Sequence, residues 1–243
     1  MNATWEDPRV VEGLLAQFTV RKAQIDAGAG RLGWKVGFGA PASLELMQID
    51  APLLGYLTDA TLLGAGAVVD VSSWDRGVVE FELAVYLGED VPPGADEARV
   101  RAAVSSIAPA IELANINLPL GPESVTGIVA GNIFHKAIIL GEADSGRAGL
   151  DIAGLEAVVM IDGAEFGRTD RLQDLTGLYP DVVSAVASTV ATQGEVLRAG
   201  DLIITGSVFP PVPVQEGSVW EFTLDPFPPI SVELIASPAG DGG

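Results

Sequence analysis

The amino-acid sequence predicts one α+β domain in which β-sheet dominates. Of the 243 residues, 48% are hydrophobic and only 19% are charged, so the chain has enough apolar side chains to form a large core. Most apolar residues fall in short runs separated by glycine, which is typical of strands joined by turns. Three segments instead repeat apolar residues at helical spacing. Many short strands with few helices indicate the α+β class.

The first predicted helix lies near the start of the chain. Asp7 is a natural N-cap, Pro8 suits the first helical position, and Gly28 ends the apolar repeat. Two further helices are predicted, over residues 96–108 and 180–192. The predicted strands are, in order, residues 32–38, 54–57, 67–71, 78–87, 110–114, 137–140, 156–161, 201–205, 218–223 and 230–235. The Asp-Gly dipeptide at 162–163 predicts a hairpin turn.

These elements divide the chain into three parts. Residues 1–28 form a helix that we expect to pack on the main domain. Residues 29–236 form that domain, and residues 237–243 form a flexible tail. The sequence shows no internal repeat and no linker that would separate a second domain.

Composition excludes several classes of function. The formal net charge of −20 opposes binding to phosphate backbones and to anionic lipid, so we expect neither nucleic acid nor membrane as a partner. Cysteine is absent, which excludes disulfides, thiolate metal sites and cysteine nucleophiles. His135 is the one histidine, so a multi-histidine metal site is impossible. Without a visible signal peptide or apolar span, we expect a cytoplasmic protein.

The strand predicted over residues 78–87 carries acidic side chains on one face. Successive strand residues point to opposite faces, so Glu80 and Glu82 share a face, while Phe81 and its apolar neighbours point the other way. A half-exposed antiparallel strand with its polar face in solvent is the more usual explanation of this alternation taken alone. Two glutamates this close require either water or a cation beside them.

A third glutamate favours the cation. Glu112 stands in the apolar strand P-A-I-E-L-A, where a carboxylate is rarely buried without a partner. Three carboxylates with no cysteine or histidine ligand form an all-oxygen set. Such a set suits a hard divalent ion, Mg²⁺ or Mn²⁺.

Two further segments contain polar residues where a small acid would be bound. Lys35 lies in G-W-K-V-G-F, either as a lysine protecting an edge strand or as a cation and proton carrier beside an anionic substrate. Residues 197–207 read as a turn, a buried strand and a loop that ends at Ser207. The backbone amides and hydroxyl of that loop either hold a carboxylate or simply end the strand.

Taken together, the motifs resemble those of a known superfamily. They are G-W-K-V-G-F from residue 33, E-F-E from residue 80, P-A-I-E from residue 109, Asn132 before an apolar strand, and A-G-D-L-I-I-T-G-S from residue 199. In this order and at these separations, the set resembles the fumarylacetoacetate hydrolase superfamily. The resemblance is strongest to its hydratase/decarboxylase branch, and it covers most of the chain.

This resemblance implies a fold, a metal and a substrate class. The fold is a mixed β-roll with a few peripheral helices, the ion is Mg²⁺ or Mn²⁺, and the substrate is a small anionic 2-oxo acid. By position, Glu80, Glu82 and Glu112 match the metal ligands. Lys35 matches the lysine near the substrate, and Ser207 matches the serine of the T-G-S loop. Enzymes of this kind are usually homo-oligomers.

The sequence departs from the superfamily pattern around the expected substrate. Leu53 stands where an acidic residue is usual, and residues 115–117 replace the usual Asp-Ser-Arg run. After Asn132, the usual small residues are replaced by bulkier ones. Among the bulkier residues, His135 and Lys136 are candidates for an acid/base or for a group that binds the substrate carboxylate, and Phe134 is a candidate substrate contact. Asn132 is a candidate for hydrogen bonding to the substrate or within a turn, and Asp59 is a weaker acid/base candidate.

Three functions remain open from the sequence. The first is a metal-dependent lyase of hydratase type that acts on a small 2-oxo or 2-hydroxydienoic acid, with Lys35 and His135 moving protons. The second keeps the metal site but removes CO₂ from a 2-oxo acid, or cleaves a carbon–carbon bond in a β-dicarbonyl. The third is a catalytically degenerate partner of an active homologue.

Overall fold

A computed structural model describes residues 4–236 of the chain. The α-helices within this range are α1 (Pro8–Asp26), α2 (Pro41–Met47), α3 (Glu97–Ala103), α4 (Val125–Ala130) and α5 (Tyr179–Thr192). The strands are β1 (Arg31–Gly37), β2 (Leu53–Thr58), β3 (Leu62–Leu63), β4 (Ala67–Asp70), β5 (Gly77–Leu87), β6 (Val104–Asn115), β7 (His135–Leu140), β8 (Glu156–Ile161), β9 (Ala164–Thr169), β10 (Leu202–Ser207), β11 (Val212–Pro213), β12 (Ser218–Asp225) and β13 (Ile230–Ile235).

The larger of two sheets has eight strands and curls into a roll. Seven strands follow the order β2-β1-β10-β5-β6-β7-β3, and β11 adds to β5. The outermost strands, β2 and β3, are consecutive in the chain and are joined by the single turn Asp59–Thr61. The two ends of the sheet must therefore approach each other.

The interior of this roll divides into two ends along the same strands. One end, which we call the apolar end, is filled by small and aliphatic side chains: Leu57, Ala84, Ala108, Ala110, Ile138, Leu202 and Ile204. At the other end, which we call the charged end, the same strands carry Lys35, Glu80, Glu82 and Glu112. The register fixes this arrangement, because Ala84 lies opposite Ala108 whereas Glu80 lies opposite Glu112.

The outer face of the roll packs on the second sheet, which has five strands in the order β4-β13-β12-β8-β9. Aromatic rings join the two layers. Phe81 of β5 lies with its ring centroid 6.0 Å from Trp220 and 5.3 Å from Phe222, both on β12. All three side chains are fully buried. The main core therefore lies between the roll and the smaller sheet.

Helix α1 packs on the roll beside α4. The expected cap is confirmed, because the Asp7 side chain accepts a hydrogen bond from the Arg9 amide at 2.9 Å. A Cβ atom at Gly13 would lie 2.7 Å from the Cβ atom of Val129, so a side chain there would keep the two helices apart. The amide of Gln17 donates to the backbone carbonyl of Val129 at 2.7 Å.

The predicted elements agree with the structure except at short helices, at one boundary and at strands β3, β9 and β11, which were not predicted. The helix predicted over residues 96–108 is wrong beyond Ala103, because β6 begins at Val104 and pairs with β5. Sheet pairing along twelve residues outweighs the local helical spacing there. Helices α2 and α4 were not predicted. The hairpin at 162–163 is confirmed between β8 and β9, and the expected tail at 237–243 lies outside the described residues.

Among the described residues, no helix combines the length and the apolar character that crossing a bilayer requires.

Candidate metal centre and acid-binding cavity

Three glutamates meet at the charged end of the roll. Glu80 and Glu112 are cross-strand partners on β5 and β6, and Glu82 follows two residues later on the same face of β5. One carboxylate oxygen from each lies within 4.8 Å of the others. Glu82 and Glu112 are buried and Glu80 is half-buried. The alternative of a strand whose polar face lies in solvent is therefore wrong for β5.

Two carboxylate oxygens in this cluster have no hydrogen-bond partner. Four buried side-chain polar atoms lack one in the described part of the chain, and Glu82 Oε1 and Glu112 Oε2 are two of them. The second oxygen of each carboxylate is held: Glu82 Oε2 accepts from the Gly206 amide at 2.6 Å, and Glu112 Oε1 accepts from Lys35. Unpartnered buried oxygens beside fixed ones fit a divalent cation.

Lys35 is the cation of the charged end. Its Nζ atom donates to Glu112 Oε1 and, at 3.1 Å, to the carbonyl oxygen of Ile133. The side chain is 2% exposed. A Cβ atom at Gly55, opposite Lys35 on β2, would lie 2.7 Å from the lysine Cγ. A glycine in this position therefore leaves room for the buried stem of the lysine.

The charges of the cluster shift one another's ionisation. Burial raises the pKa of Glu80 to about 7, with a further contribution from the negative charge of Glu112. Burial likewise raises the pKa of Glu82. Burial alone would raise the pKa of Glu112 too, but Lys35 and His135 outweigh it and the pKa is lowered.

The pKa of Lys35 moves in the direction that preserves its charge. Burial by itself would lower this pKa, but the nearby carboxylates, led by Glu112, outweigh burial and raise it. Lys35 therefore stays protonated in the metal-free protein. This places a permanent positive charge among the carboxylates.

Both ring nitrogens of His135 are already engaged. Nδ1 lies 2.7 Å from Glu112 Oε1, and Nε2 lies 2.9 Å from the Thr61 hydroxyl, on the turn between β2 and β3. The side chain is 3% exposed. His135 thus connects the β2–β3 turn to Glu112. Its expected role in moving protons stays a prediction.

The residues before His135 form a left-handed turn that no glycine relieves. Asn132, Ile133 and Phe134 have φ values of 57°, 49° and 64°. This backbone is unfavourable for a β-branched residue such as Ile133, and it directs the Ile133 carbonyl to Lys35. Phe134 is buried, and its ring lies edge-on to Phe38 with centroids 6.4 Å apart.

Asn132 holds this turn against β2. Its Oδ1 accepts from the Tyr56 amide at 2.7 Å, and its Nδ2 donates to the Tyr56 carbonyl at 3.0 Å. Of the two roles expected for Asn132, the structure shows the turn contact.

The T-G-S loop holds a carboxylate that belongs to the protein itself. Gly206, with φ of 95°, directs its amide to Glu82. Ser207 Oγ accepts from the Phe81 amide at 3.0 Å and donates to the Phe81 carbonyl at 3.3 Å, where the β10–β5 register shifts. From the sequence, this loop was expected either to hold a carboxylate or simply to end the strand. The support that the Gly206 amide gives to Glu82 was not predicted.

Two of the expected residues lie away from the glutamates. Asp59 is exposed, and its Oδ1 accepts from the Gly30 amide at 2.8 Å, which extends the pairing of β1 with β2. Lys136 is exposed and lines a separate polar cavity with Asn115 and Asn117. Neither side chain joins the carboxylate cluster in the structure.

Two cavities reach the cluster at Glu80. The smaller, of about 140 Å³, is lined by Lys35, Glu80 and Phe134 among others. The larger, of about 290 Å³, adjoins Glu80, Gly206 and Ser207. Concave space beside convergent polar groups is typical of a binding site for a small molecule.

Comparison with known proteins identifies the family. Residues 36–234 match the family model described as fumarylacetoacetate (FAA) hydrolase, C-terminal. The match covers most of the chain, so this chain belongs to the fumarylacetoacetate hydrolase family. The resemblance read from the sequence motifs is thereby confirmed.

Curated relatives come from the hydratase/decarboxylase branch. The chain is 27% identical to the 2-keto-4-pentenoate hydratase of Paraburkholderia xenovorans (strain LB400) over 221 residues, which are 90% of this chain and 81% of the relative. It is also 27% identical to the 4-oxalocrotonate decarboxylase of Pseudomonas sp. (strain CF600) over 202 residues, 83% of this chain and 76% of the relative.

Solved structures confirm the mixed-roll fold. The 4-oxalocrotonate decarboxylase from Pseudomonas putida G7, solved with magnesium and adipate, has a TM-score of 0.83 at 24% identity and covers 93% of this chain and 86% of its own. The fumarylpyruvate hydrolase from Pseudomonas aeruginosa, solved with Mn²⁺ and pyruvate, has a TM-score of 0.63 at 16% identity and covers 86% of this chain and 91% of its own.

Proposed function

We propose that this chain is a divalent-metal-dependent lyase of hydratase type that acts on a small 2-oxo or 2-hydroxydienoic acid. The observation that carries the proposal is the pair of buried, unpartnered oxygens, Glu82 Oε1 and Glu112 Oε2, beside the buried ammonium of Lys35. Negative charge in excess of positive charge is costly in a buried site unless a cation neutralises it.

Glu80, Glu82 and Glu112 would hold Mg²⁺ or Mn²⁺. The geometry within this chain supports that choice, because all three donors are carboxylate oxygens and their ligand atoms converge within 4.8 Å. When bound, such an ion stabilises the negative charge that develops on the 2-oxygen of a 2-oxo acid. Relatives solved with magnesium or Mn²⁺ add support.

Lys35 binds and orients the acid in this proposal. An ammonium has three N–H donors, and Glu112 and the Ile133 carbonyl use two of them. The third is free for a substrate oxygen. In the metal-free protein the nearby carboxylates raise the pKa of Lys35, so it presents a positive charge to an anionic acid at neutral pH.

Glu112 is held rigidly for its role as a ligand. Lys35 and His135 both contact Glu112 Oε1, which leaves Oε2 as the oxygen directed to a cation. We propose His135 as a positioning residue, which keeps Glu112 in one orientation through a second contact with Thr61.

Hydration differs from decarboxylation and carbon–carbon hydrolysis in which bond of the acid is formed or broken. Relatives named as decarboxylases make loss of CO₂ the second candidate, and carbon–carbon hydrolysis uses the same donors. Incubation of the Mg²⁺-loaded protein with a panel of 2-oxo acids and dienoic acids, followed by mass spectrometry, separates them. Hydration adds one water, decarboxylation removes CO₂, and hydrolysis gives two fragments.

A substitution at one ligand tests the metal centre itself. Glu82→Gln should lower Mn²⁺ affinity by more than about 100-fold and abolish turnover, because an amide oxygen cannot supply the missing charge. Glu221→Gln is the matched control, since Glu221 is an exposed carboxylate on β12. Calorimetry with Mn²⁺ measures the first effect, and a product assay measures the second.

Three results would contradict the proposal. Turnover that continues in EDTA would exclude a metal-dependent reaction. Equal Mn²⁺ binding by Glu82→Gln and the wild type would place the ion elsewhere. Metal binding without turnover of any acid in the panel would favour the catalytically degenerate partner. Assembly as a homo-oligomer stays a prediction, which size-exclusion chromatography with light scattering measures.

A further inference from the structure

The larger cavity beside the metal centre is lined mainly by apolar side chains. Its apolar walls are Phe38, Pro52, Leu175, Phe209, Pro210 and Pro211. Three of the hydroxyls around it are committed: Thr205 Oγ1 donates to the Leu83 carbonyl at 3.0 Å, Thr176 Oγ1 donates to the Gly177 carbonyl at 3.0 Å, and Ser207 Oγ donates to the Phe81 carbonyl. The Ser43 hydroxyl also lines the cavity. This cavity therefore offers apolar contact and few free hydrogen bonds.

The smaller cavity contains the charged groups. Lys35 and Glu80 line it, and its remaining walls include Val78, Ile116 and Leu120. Within residues 4–236, Lys35 is the one cationic side chain that lines either cavity. The carboxylate end of an acid is therefore best placed here, against Lys35, with the remainder extending past Glu80 into the larger cavity.

A second carboxylate on the acid would find no lysine, arginine or histidine among the described residues that line the larger cavity. Among the residues that the structure describes, no lysine or arginine lines the cavity next to it, which shares Pro52 and Thr176 and includes the carboxylate of Asp181. A carboxylate of the protein would repel a second negative charge. An unpaired carboxylate moved from water to apolar walls is strongly disfavoured.

The volume of the larger cavity sets the size of the apolar part. A cavity of about 150 Å³ lined by aliphatic and aromatic side chains is enough to bind benzene in another protein. The cavity here measures about 290 Å³ and is walled by two phenylalanines and three prolines. It therefore has room for a branched alkyl group or an aromatic ring.

We propose that the acid bound at this site carries a single carboxylate and an apolar tail up to the size of an aromatic ring. The inference rests on the proposed function and names its substrate class. It separates this chain from the decarboxylase solved with adipate, which is a dicarboxylate. The carboxylate lies at Lys35, and the tail lies between Phe38 and Phe209.

Matched ligands test the proposal on the full chain loaded with Mn²⁺. Calorimetry compares 2-oxohexanoate with 2-oxoadipate, which have equal chain lengths and differ only in a terminal methyl or carboxylate. We expect 2-oxohexanoate to bind at least about 10-fold more tightly, because the second carboxylate stays unpaired. We expect 2-oxo-4-phenylbutanoate to bind at least as tightly as 2-oxohexanoate.

Oxalate separates failure of this inference from failure of the proposed function. Oxalate has no tail, so it reports chelation alone. If oxalate binds only with Mn²⁺ but the two six-carbon acids bind equally, the substrate class is overturned and the metal centre stands. If no acid binds in a Mn²⁺-dependent way, both proposals are overturned.

Two substitutions locate the tail. Leu175→Arg places a cation in the larger cavity and should reduce the preference for 2-oxohexanoate about 10-fold, whereas Leu175→Met should leave it unchanged. An unchanged preference in folded Leu175→Arg would overturn this placement.

Lys136→Ala tests the polar cavity of Asn115 and Asn117. If this variant binds 2-oxoadipate more weakly than the wild type does, that cavity holds a second carboxylate and the proposal is overturned. The wild-type ligand series decides the substrate class even if Leu175→Arg does not fold.

Discussion

The two ends of the roll interior are built on the same strands but differ in whether their buried side chains require a partner. At the apolar end, Ala84 lies opposite Ala108, and every member of the cluster is buried among hydrocarbon. At the charged end, a few residues along the same ladder, Glu80 lies opposite Glu112. The first end is complete by itself. The second holds three carboxylates against Lys35 and His135.

This difference shows where the protein gives up stability for binding. Hydrocarbon burial at the apolar end contributes favourably with no partner beyond the chain. Burial of carboxylates at the charged end is unfavourable unless each is paired, and two of their oxygens have no partner. The charged end therefore has the arrangement expected of a ligand site, and it lies beside an end that is packed for stability.

The largest effect on stability is expected from removing the cation of the charged end. Lys35→Met should lower the free energy of unfolding by about 3–5 kcal/mol in EDTA at neutral pH, because it leaves Glu112 buried with only His135 beside it. Urea denaturation measures this change. Lys22→Met is the control: Lys22 pairs with Asp26 in solvent and should change stability by less than about 1 kcal/mol. Equal losses in the two variants would remove the contrast between the ends.

A cavity at the apolar end should affect stability alone. Leu202 is buried and lies opposite Tyr86, well along the ladder from the glutamates. Leu202→Ala should lower the free energy of unfolding by about 2–5 kcal/mol through lost burial and an unfilled cavity. Calorimetry should show unchanged Mn²⁺ affinity. A marked loss of affinity would mean that the two ends are coupled.

The smallest effect is expected from pH in the metal-free protein. The pKa of Glu80 is raised from 4.5 to about 7, so between these values the folded chain binds more protons than the unfolded chain. The free energy of unfolding in EDTA should therefore fall as pH rises from about 4.5 to about 7. The raised pKa of Glu82 acts in the same direction. The lowered pKa of Glu112 has the opposite effect below about pH 4.5, where the free energy of unfolding should fall as the pH falls.

Glu80→Gln provides the control for the pH experiment. This variant has no carboxyl group to titrate at position 80, so the decline over that interval should become shallower. Urea denaturation at several pH values measures both slopes. If the free energy of unfolding rises over the same pH interval in EDTA, the claim that burial and mutual repulsion raise the pKa values of these carboxyl groups is wrong. Saturating Mn²⁺ should remove the decline in the wild type, because bound metal favours the ionised form.

The acidic cluster was predictable because it depends on strand periodicity. Alternation placed Glu80 and Glu82 on one face, and an acidic residue inside an apolar strand marked Glu112. Their meeting depends on the β5–β6 register, which the burial of Phe81 and Ile111 on the opposite face fixes. A strand that is apolar on one face and acidic on the other thus specifies both its pairing and its site.

The supporting contacts were not predictable because they depend on distant segments. The partner of His135 Nε2 is Thr61, 74 positions earlier in the sequence, and the contact exists only because the roll curls. Gly206 holds Glu82 across a register shift. The end of α3 was also not predicted. Val104 is a strand residue because it pairs with β5, although its local sequence has helical spacing.

The amide of Asn132 has a consequence beyond the site that it shapes. Strand β2 ends the roll ladder, and an uncovered ladder end can recruit strands from other molecules and start aggregation. Here the Asn132 side chain mimics the missing strand by bonding both polar groups of Tyr56, and Gln17 covers the Leu54 carbonyl. One side chain thus shapes the turn beside the carboxylate cluster and occupies the edge of β2 where another strand would otherwise pair.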